Sequence, residues 1–367
     1  HEINHLRAKG VCVLSVDVPT GLDLDTGNRL GEAAVVASQT VTFGFAKPGF
    51  FLNQGPAHVG RLVVDDIGFP VRLKNEISNS HRVFGQNGFR ELSRRSMPRR
   101  GPASNKSHFG HTVVVGGSKG MEGAAVLASR AAFRVGSGYV TWVPGLKAAS
   151  NLDALPHAMR ASVDEVERIR QASSVIVGPG LGLKDAKRAY RLLEKLTDCR
   201  VVIDAGALSF LGHAKFIERL PGRKFPENWL ITPHAGEAAK LMGVKSGEIE
   251  ENRTAAAAAL CEHYGGVVLL KGFHSVVAVP GRVIIIDSGN AALAKAGTGD
   301  VLSGMIGGFA AQMTSMRAAA LMGCYLHGAI ADRWVENGRS DASLEATDLI
   351  EMIPAVFSRL SDHSMSP

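Results

Sequence analysis

Cysteine is scarce and scattered. The 367 residues hold four, Cys12, Cys199, Cys261 and Cys324, and no two form a C-x-x-C pair. That argues against a disulfide framework and against the common zinc modules, and it fits a reducing, cytoplasmic compartment. Long apolar runs are missing too: none reaches the roughly 18 residues of a membrane span. "VIIIDSGN" and "VVLLKGFHSVVAV" have the length of buried strands. No signal peptide is visible and the first residue is His1, so the chain reads as a fragment. Aromatic residues make up only 6% of it, charged residues 20% and apolar residues 45%. This is an ordinary soluble balance, and the length suits about two domains.

Outside one stretch there is no excess charge of either sign. The net +7 lies between Arg72 and His108, where nine Lys or Arg (72, 74, 82, 90, 94, 95, 99, 100, 106) face Glu76 and Glu91. A charge cluster of this kind is more often a solvated linker than a reading surface, and no aromatic interleaving or RNA-binding motif accompanies it. Together with Pro98, Pro102, Gly85 and Gly88 it marks a boundary near residues 75–104. Before it, residues 1–74 hold three strand-like runs, "GVCVLSVDV", "TVTFGF" and "RLVVDDIG". Three strands do not close a core easily, so this piece reads as the end of a larger domain.

Residues 105–360 are regular. "HTVVVGG", "YVTWVP", "SSVIVGPGLG", "CRVVIDAGAL", "NWLITPHAGE" and "GVVLLKGFHSVVAV" read as strands, with an Ala-rich helix over 123–138 and helical segments at 185–197 and 251–264. Near-continuous Val/Ile/Leu strands alternating with helices predict an α/β fold, a parallel sheet covered by helices on both faces. Most strands end in Gly, Pro or a polar residue. Ligands of such sheets sit beyond the carboxyl ends.

One of the polar stretches is sharper than the rest. "AKAGTGDVLSGMIGG" sets Asp300 beside Gly297 and Gly299, ahead of an apolar helix. Asp300 as a helix cap is the plain reading. Capping leaves the glycines unexplained. Backbone N–H groups closing on an anion, with a carboxylate base aimed at a hydroxyl, would account for both. Lys271 at a strand end is otherwise a surface group, His234 between Pro233 and a helix start a satisfied loop residue, and Asp17 in "DVPTG" a turn-forming acid. Neither "GGSKGMEG" nor "GPGLGL" fits G-x-G-x-x-G, which counts against a conventional dinucleotide dehydrogenase.

G-x-G-D before an apolar helix resembles the ribokinase-like kinases. In order, "FGHTVVVGGSKGMEGAAVLASRAAFRVGSGYVTWVP", "VIVGPGLG", "VVIDAGAL", "ITPHAGEAAKL", "VVLLKGFHSVV", "DSGNAALAKAGTGDVLSGMIGG" and "HGAIAD" resemble the NAD(P)H-hydrate dehydratase family. "VDVPTGLDLDTG" and "TVTFGFAKPGF" resemble the end of the NAD(P)H-hydrate epimerase domain that many bacterial proteins fuse ahead of it. The likeness implies a ribokinase-like domain after a partial Rossmann-like α/β epimerase domain. It implies ADP-dependent dehydration of the S epimer of hydrated NADH or NADPH, releasing AMP and phosphate, with ATP as the other possible donor. By the same likeness Asp300 is the catalytic base. Lys271, Gly272, Phe273, His274, Ser275 and Gly299 bind nucleotide. Ala124, Gly180, His234 and Asn290 contact the hydrate, as does Asp17 in the epimerase piece. Thr20 helps hold K⁺ there, and Glu237 serves Mg²⁺ through a bound water. The implied partners are the hydrates and ADP, in a homo-oligomer, with no nucleic acid and no membrane.

Three departures bear on substrate affinity: Ala296 stands for a glycine, Gly206 for an acid, and "NKSHFG" for the usual "HKG" turn. Two other classes stay open, a ribokinase-like kinase of a small alcohol and a non-catalytic nucleotide-binding relic. The N-terminal piece, with only closing strands, is expected not to epimerise, and its apolar strand edges to stand exposed.

Overall fold

The computed structural model describes residues 1–70, 81–145, 148, 154–211 and 216–361. Val and Ile dominate its strands, and their alternation decides the layers. Along β5 (His111–Gly116), Val113 and Val115 face one buried side and Val114 the other. The same split recurs in β8 (Ser174–Val177), β9 (Arg200–Ile203), β10 (Phe225–Ile231) and β11 (Gly265–Leu270). A sheet apolar on both faces must be covered on both. Helices Glu122–Arg134, Thr298–Gln312, Met316–Glu336 and Ala346–Ser361 cover one face; Leu183–Leu193 and Arg253–Tyr264 are among those on the other.

Ten strands form this sheet, in the order β4-β13-β12-β11-β10-β9-β8-β5-β6-β7, with β4 at His81–Phe84, β6 at Tyr139–Pro144, β7 at Met159–Arg160, β12 at Val276–Val279 and β13 at Arg282–Ile286. Every pairing is parallel except β11–β12 and β12–β13. "GVVLLKGFHSVVAV" is therefore two antiparallel strands, not one, and "KGFHS" is the turn between them. From β5 the chain runs outward to β6 and then returns to β8 on β5's other side. That reversal opens a crevice beyond the carboxyl ends of β5 and β8.

The Ala-rich helix Glu122–Arg134 lies close to Thr298–Gln312 because both present small residues. A Cβ on Gly304 would strike the backbone of Ala128, and one on Gly308 would strike Val135. This contact fixes the helix that carries Asp300.

Residues 81–96, expected in the linker, belong to the sheet instead. β4 pairs with β13, and helix Gln86–Ser96 buries Phe89 completely while Glu91, Arg94 and Arg95 stay on its outer side. Its charge comes from the solvent face of an amphipathic helix. Of the rest of the expected boundary, residues 75–80 lie outside the described residues, and 97–104 run without helix or strand.

The N-terminal piece is a separate parallel sheet, β1 (Leu14–Val16), β2 (Gln39–Phe43) and β3 (Arg61–Asp65). As expected, its edge is bare: Leu14 and Val16 are 58% and 66% exposed. The piece is still anchored, because Leu52 is buried in the core of the large domain. Among the described residues no helix is long and apolar enough to cross a membrane.

Candidate active site

Gly297, at φ +87°, precedes helix Thr298–Gln312 and offers no capping side chain. A side chain there would meet Leu127 and Ala346, so glycine is required for both conformation and space. The helix's first N–H groups thus stay free for an anion. Asp300 sits in the first turn and does not cap it. Burial pushes its acid up to about 6, the nearby Asp204 carboxylate adds to this, and Lys271 opposes it. The loop ahead of the helix is pinned: the Thr298 hydroxyl donates to the carbonyls of Leu293 and Lys295 at 2.9 Å each, and His327 Nε2 donates to the Thr298 carbonyl at 3.0 Å. Burial lowers the His327 acid to about 4, so the ring is neutral.

Lys271 is not a surface group. It stands just past β11, 18% exposed, with Nζ donating to Asp204 Oδ1 at 2.8 Å and lying 3.8 Å from Glu237 Oε2. Burial alone would lower its acid, but Asp204 and Glu237 outweigh that and the net shift is upward. For fully buried Asp204, desolvation pushes up while Lys271 and the Ser303 hydroxyl pull harder, and the net shift is downward. The two shifts agree on a charged pair. Asp204 follows β9, Glu237 lies on helix Ala235–Met242, and Ser303 lies one turn beyond Asp300. Two carboxylates from separate elements thus converge on one ammonium, and a third element holds Asp204 through Ser303. Asp204 and Ser303 went unassigned in the sequence, where only the strand-end position of "VIDAG" hinted at the first.

A cavity of about 500 Å³ opens beside Lys271. It is lined by Gly272, Phe273, Ser275, Asn290 and Gly299, among others, with Leu293, Leu302 and Cys324 supplying apolar wall. Asn290 is held at both ends, donating to Asp332 Oδ1 at 2.9 Å and accepting from Ala292 N at 3.0 Å. His274 stands apart from this lining and reaches toward the N-terminal piece.

On the other flank His234 is the N-cap of helix Ala235–Met242. Its Nδ1 accepts from the N–H groups of Gly236 and Glu237 at 3.0 and 3.3 Å, which leaves Nε2 carrying the proton on a largely exposed ring. Glu237 Oε2 accepts the His234 N–H at 2.9 Å. Ala124 and Gly180 adjoin one another in the β5/β8 crevice, where Gly180 has φ +62° and a Cβ on it would strike the Met121 carbonyl. Gly206, the apparent loss of an acid, has a physical reason: a Cβ there would collide with the Leu181 carbonyl. Ala296 and Lys295 are exposed.

Asp17 and Thr20 are not part of this cluster. Asp17, at φ +63°, accepts on Oδ1 from Lys47 Nζ at 2.8 Å, the Thr42 hydroxyl at 3.0 Å and Phe43 N at 3.1 Å. The Lys47 hydrogen bond leads in holding its acid below the usual range. Thr20 is exposed, and its carbonyl accepts from Val35 N.

Residues 112–355 match the family model described as NAD(P)H-hydrate dehydratase, and residues 1–49 match the YjeF-related protein N-terminus. A bifunctional NAD(P)H-hydrate repair enzyme of Coxiella burnetii is 35% identical over 95% of this chain and 70% of its own length. One of Escherichia coli is 37% identical over 90% of this chain, which spans 62% of that relative. Among solved structures, the ADP/ATP-dependent NAD(P)H-hydrate dehydratase of Bacillus subtilis, co-crystallised with ATP and Mg²⁺, superposes with a TM-score of 0.65. It is 30% identical over 76% of this chain and 98% of that one.

Proposed function

The chain belongs to the NAD(P)H-hydrate dehydratase family, and on that premise we propose that it restores NADH or NADPH from the S epimer of the hydrate, with ADP as phosphoryl donor. The supporting observation is the juxtaposition of a base and an anion hole. Asp300, with its raised acid constant, sits in the first turn of a helix whose opening N–H groups are free, and Lys271 is held charged nearby. Asp300 takes the proton of the ring hydroxyl as that oxygen bonds the β-phosphorus of ADP. The bond to the α-phosphate breaks and AMP leaves. The carbon–oxygen bond of the phosphorylated hydrate then breaks, phosphate departs, the neighbouring ring carbon gives its proton to water, and the double bond returns. Lys271 and the N–H groups of the helix start hold the negative charge that builds on the phosphoryl oxygens. The small residues Ala124 and Gly180 leave room in the β5/β8 crevice for the nicotinamide ring, and His234, beside Lys271, would meet the hydrate with Nε2–H.

Among the described residues no group of three or more His, Cys, Asp or Glu could hold a metal by itself. Magnesium that travels with a nucleotide keeps phosphate and water ligands and needs only one or two carboxylates. Glu237 Oε2 accepts the His234 backbone N–H and lies 3.8 Å from the Lys271 ammonium, so Glu237 would hold such a water through Oε1 and not ligate the ion itself. When bound, the ion would offset phosphate charge.

Replacing Lys271 with Ala should weaken ADP binding by about 10- to 100-fold, the range for losing charge-assisted hydrogen bonds, with a smaller effect on the hydrate. Calorimetry with ADP decides it, and an unchanged ADP affinity would move the nucleotide elsewhere.

We also propose that the chain does not epimerise the hydrate. Asp17 already accepts three donors on one oxygen, and the Lys47 ammonium beside it repels a cation. Thr20 adds a single hydroxyl. Hard cations need several oxygens at once, so these residues do not fit K⁺ and no step is assigned to it. With only the R epimer and ADP supplied, repair should run no faster than spontaneous epimerisation. Repair that rises with enzyme and disappears in Asp17→Ala would refute this.

A further inference from the structure

The 271–275 turn is held from two sides, and neither holder belongs to the site described so far. Beneath it lies Arg253, 4% exposed, at the start of helix Arg253–Tyr264. Its guanidinium donates to the Phe273 carbonyl and, at 3.4 Å, to the Leu270 carbonyl. The fit is close: a Cβ on Gly272 would strike that guanidinium. Above the turn is the N-terminal piece. His274 Nδ1 donates to the Phe51 carbonyl at 2.6 Å, across 223 residues of sequence. His274 has φ +47°, a left-handed conformation that a side-chain-bearing residue keeps only when its surroundings impose it. Its ring also stacks on Phe273, with centroids 4.2 Å apart.

The upper holder is itself rigid. Leu52, next to Phe51, is 1% exposed and packed in the large domain's core. Asn28 and Asn53 donate to the Glu251 carbonyl at 3.1 and 3.3 Å, two residues before Arg253. The segment that carries the Phe51 carbonyl is thus tied to the same stretch that carries Arg253.

We propose that Arg253 and the Phe51 carbonyl, acting through His274, form a clamp that positions the 271–275 turn for nucleotide, so that the N-terminal piece contributes to nucleotide affinity without touching the nucleotide. These are positioning residues, and the inference rests on the nucleotide reading of Lys271 and its cavity. A turn free to relax must be ordered at the moment of binding, and that ordering weakens binding.

The test compares His274→Leu, which cannot donate, with His274→Asn, whose amide can donate from nearly the same place and which tolerates φ > 0. Arg253→Met is the second arm and Lys271→Ala the reference. ADP affinity is measured by calorimetry, and kcat and KM for each substrate in the repair assay. The clamp predicts that His274→Leu and Arg253→Met weaken ADP binding about tenfold, the scale of one hydrogen bond to a positioned group. The KM for hydrate and kcat should change less, and His274→Asn should recover most of the loss. Thermal unfolding identifies any variant that fails to fold, and the His274 pair decides the question if Arg253→Met does. Unchanged ADP affinity in His274→Leu beside a loss in Lys271→Ala overturns the clamp and leaves the nucleotide site standing. Equal losses in His274→Leu and His274→Asn also overturn it. Unchanged affinity in Lys271→Ala overturns both.

Discussion

Asp300→Asn should lower turnover by at least about 10²-fold, the lower end of what loss of a general base costs, and it should make the protein more stable at pH 8. The two effects have one origin. Burial raises the Asp300 acid to about 6, so an ionised carboxylate is held where it is poorly solvated. The folded state binds this proton more tightly than the unfolded chain does. Stability from this group is therefore fully present below the unfolded value of about 4 and is lost as pH climbs to about 6. Above that, the neutral amide relieves the cost and the melting temperature should rise. Catalysis should run the other way, because a general base works only when deprotonated. In the wild type kcat/KM should fall roughly tenfold per pH unit below about 6, and the residual activity of Asp300→Asn should lack that limb. Turnover close to wild type in Asp300→Asn would remove Asp300 from the reaction.

Asp204→Leu should destabilise the protein by about 3–5 kcal/mol, as expected when one partner of a buried pair is removed and the other charge is left behind. Lys271 would keep Glu237 Oε2 at 3.8 Å and the Asp300 carboxylate nearby, and Ser303 would lose its Asp204 acceptor. The double variant Asp204→Leu/Lys271→Met separates structure from chemistry. Two apolar side chains in place of a buried pair restore much of the stability, while nucleotide binding stays weak because the ammonium is gone. Thermal and urea unfolding give the first quantity and ADP calorimetry the second. A stable Asp204→Leu that binds ADP normally would show that the pair neither supports the fold nor orients the lysine.

The parts legible in the sequence are those that local pattern encodes. Doubly buried strands must be largely apolar, so β5, β8, β9, β11 and the "WLI" end of β10 stand out. A helix start stripped of side chains around one acid has few uses, so Asp300 stands out too. Other parts depend on distant partners. β4 is four residues with little apolar signature and finds its place only against β13. The adjacent helix hides Phe89 among charges that point to solvent. The hairpin at 271–275 turns on a single glycine between two apolar runs, and the sequence reads through it. Asp204 and Lys271 are 67 residues apart, and their pairing exists only in the folded sheet. The hold of Phe51 on His274 crosses from one part of the chain to the other and leaves no local trace. At Gly206, where the resemblance leads one to expect an acid, two backbones approach closely, a contact with no local trace in the sequence.

The purified chain is incubated with the S epimer of hydrated NADH, ADP and Mg²⁺, while the absorbance of restored NADH is followed and AMP and phosphate are counted. NADH should appear in proportion to enzyme, with one AMP and one phosphate released for each NADH and no phosphorylated compound accumulating. A stable phosphorylated alcohol as the product, or no restoration of NADH by a folded enzyme that binds ADP, would contradict the proposed repair.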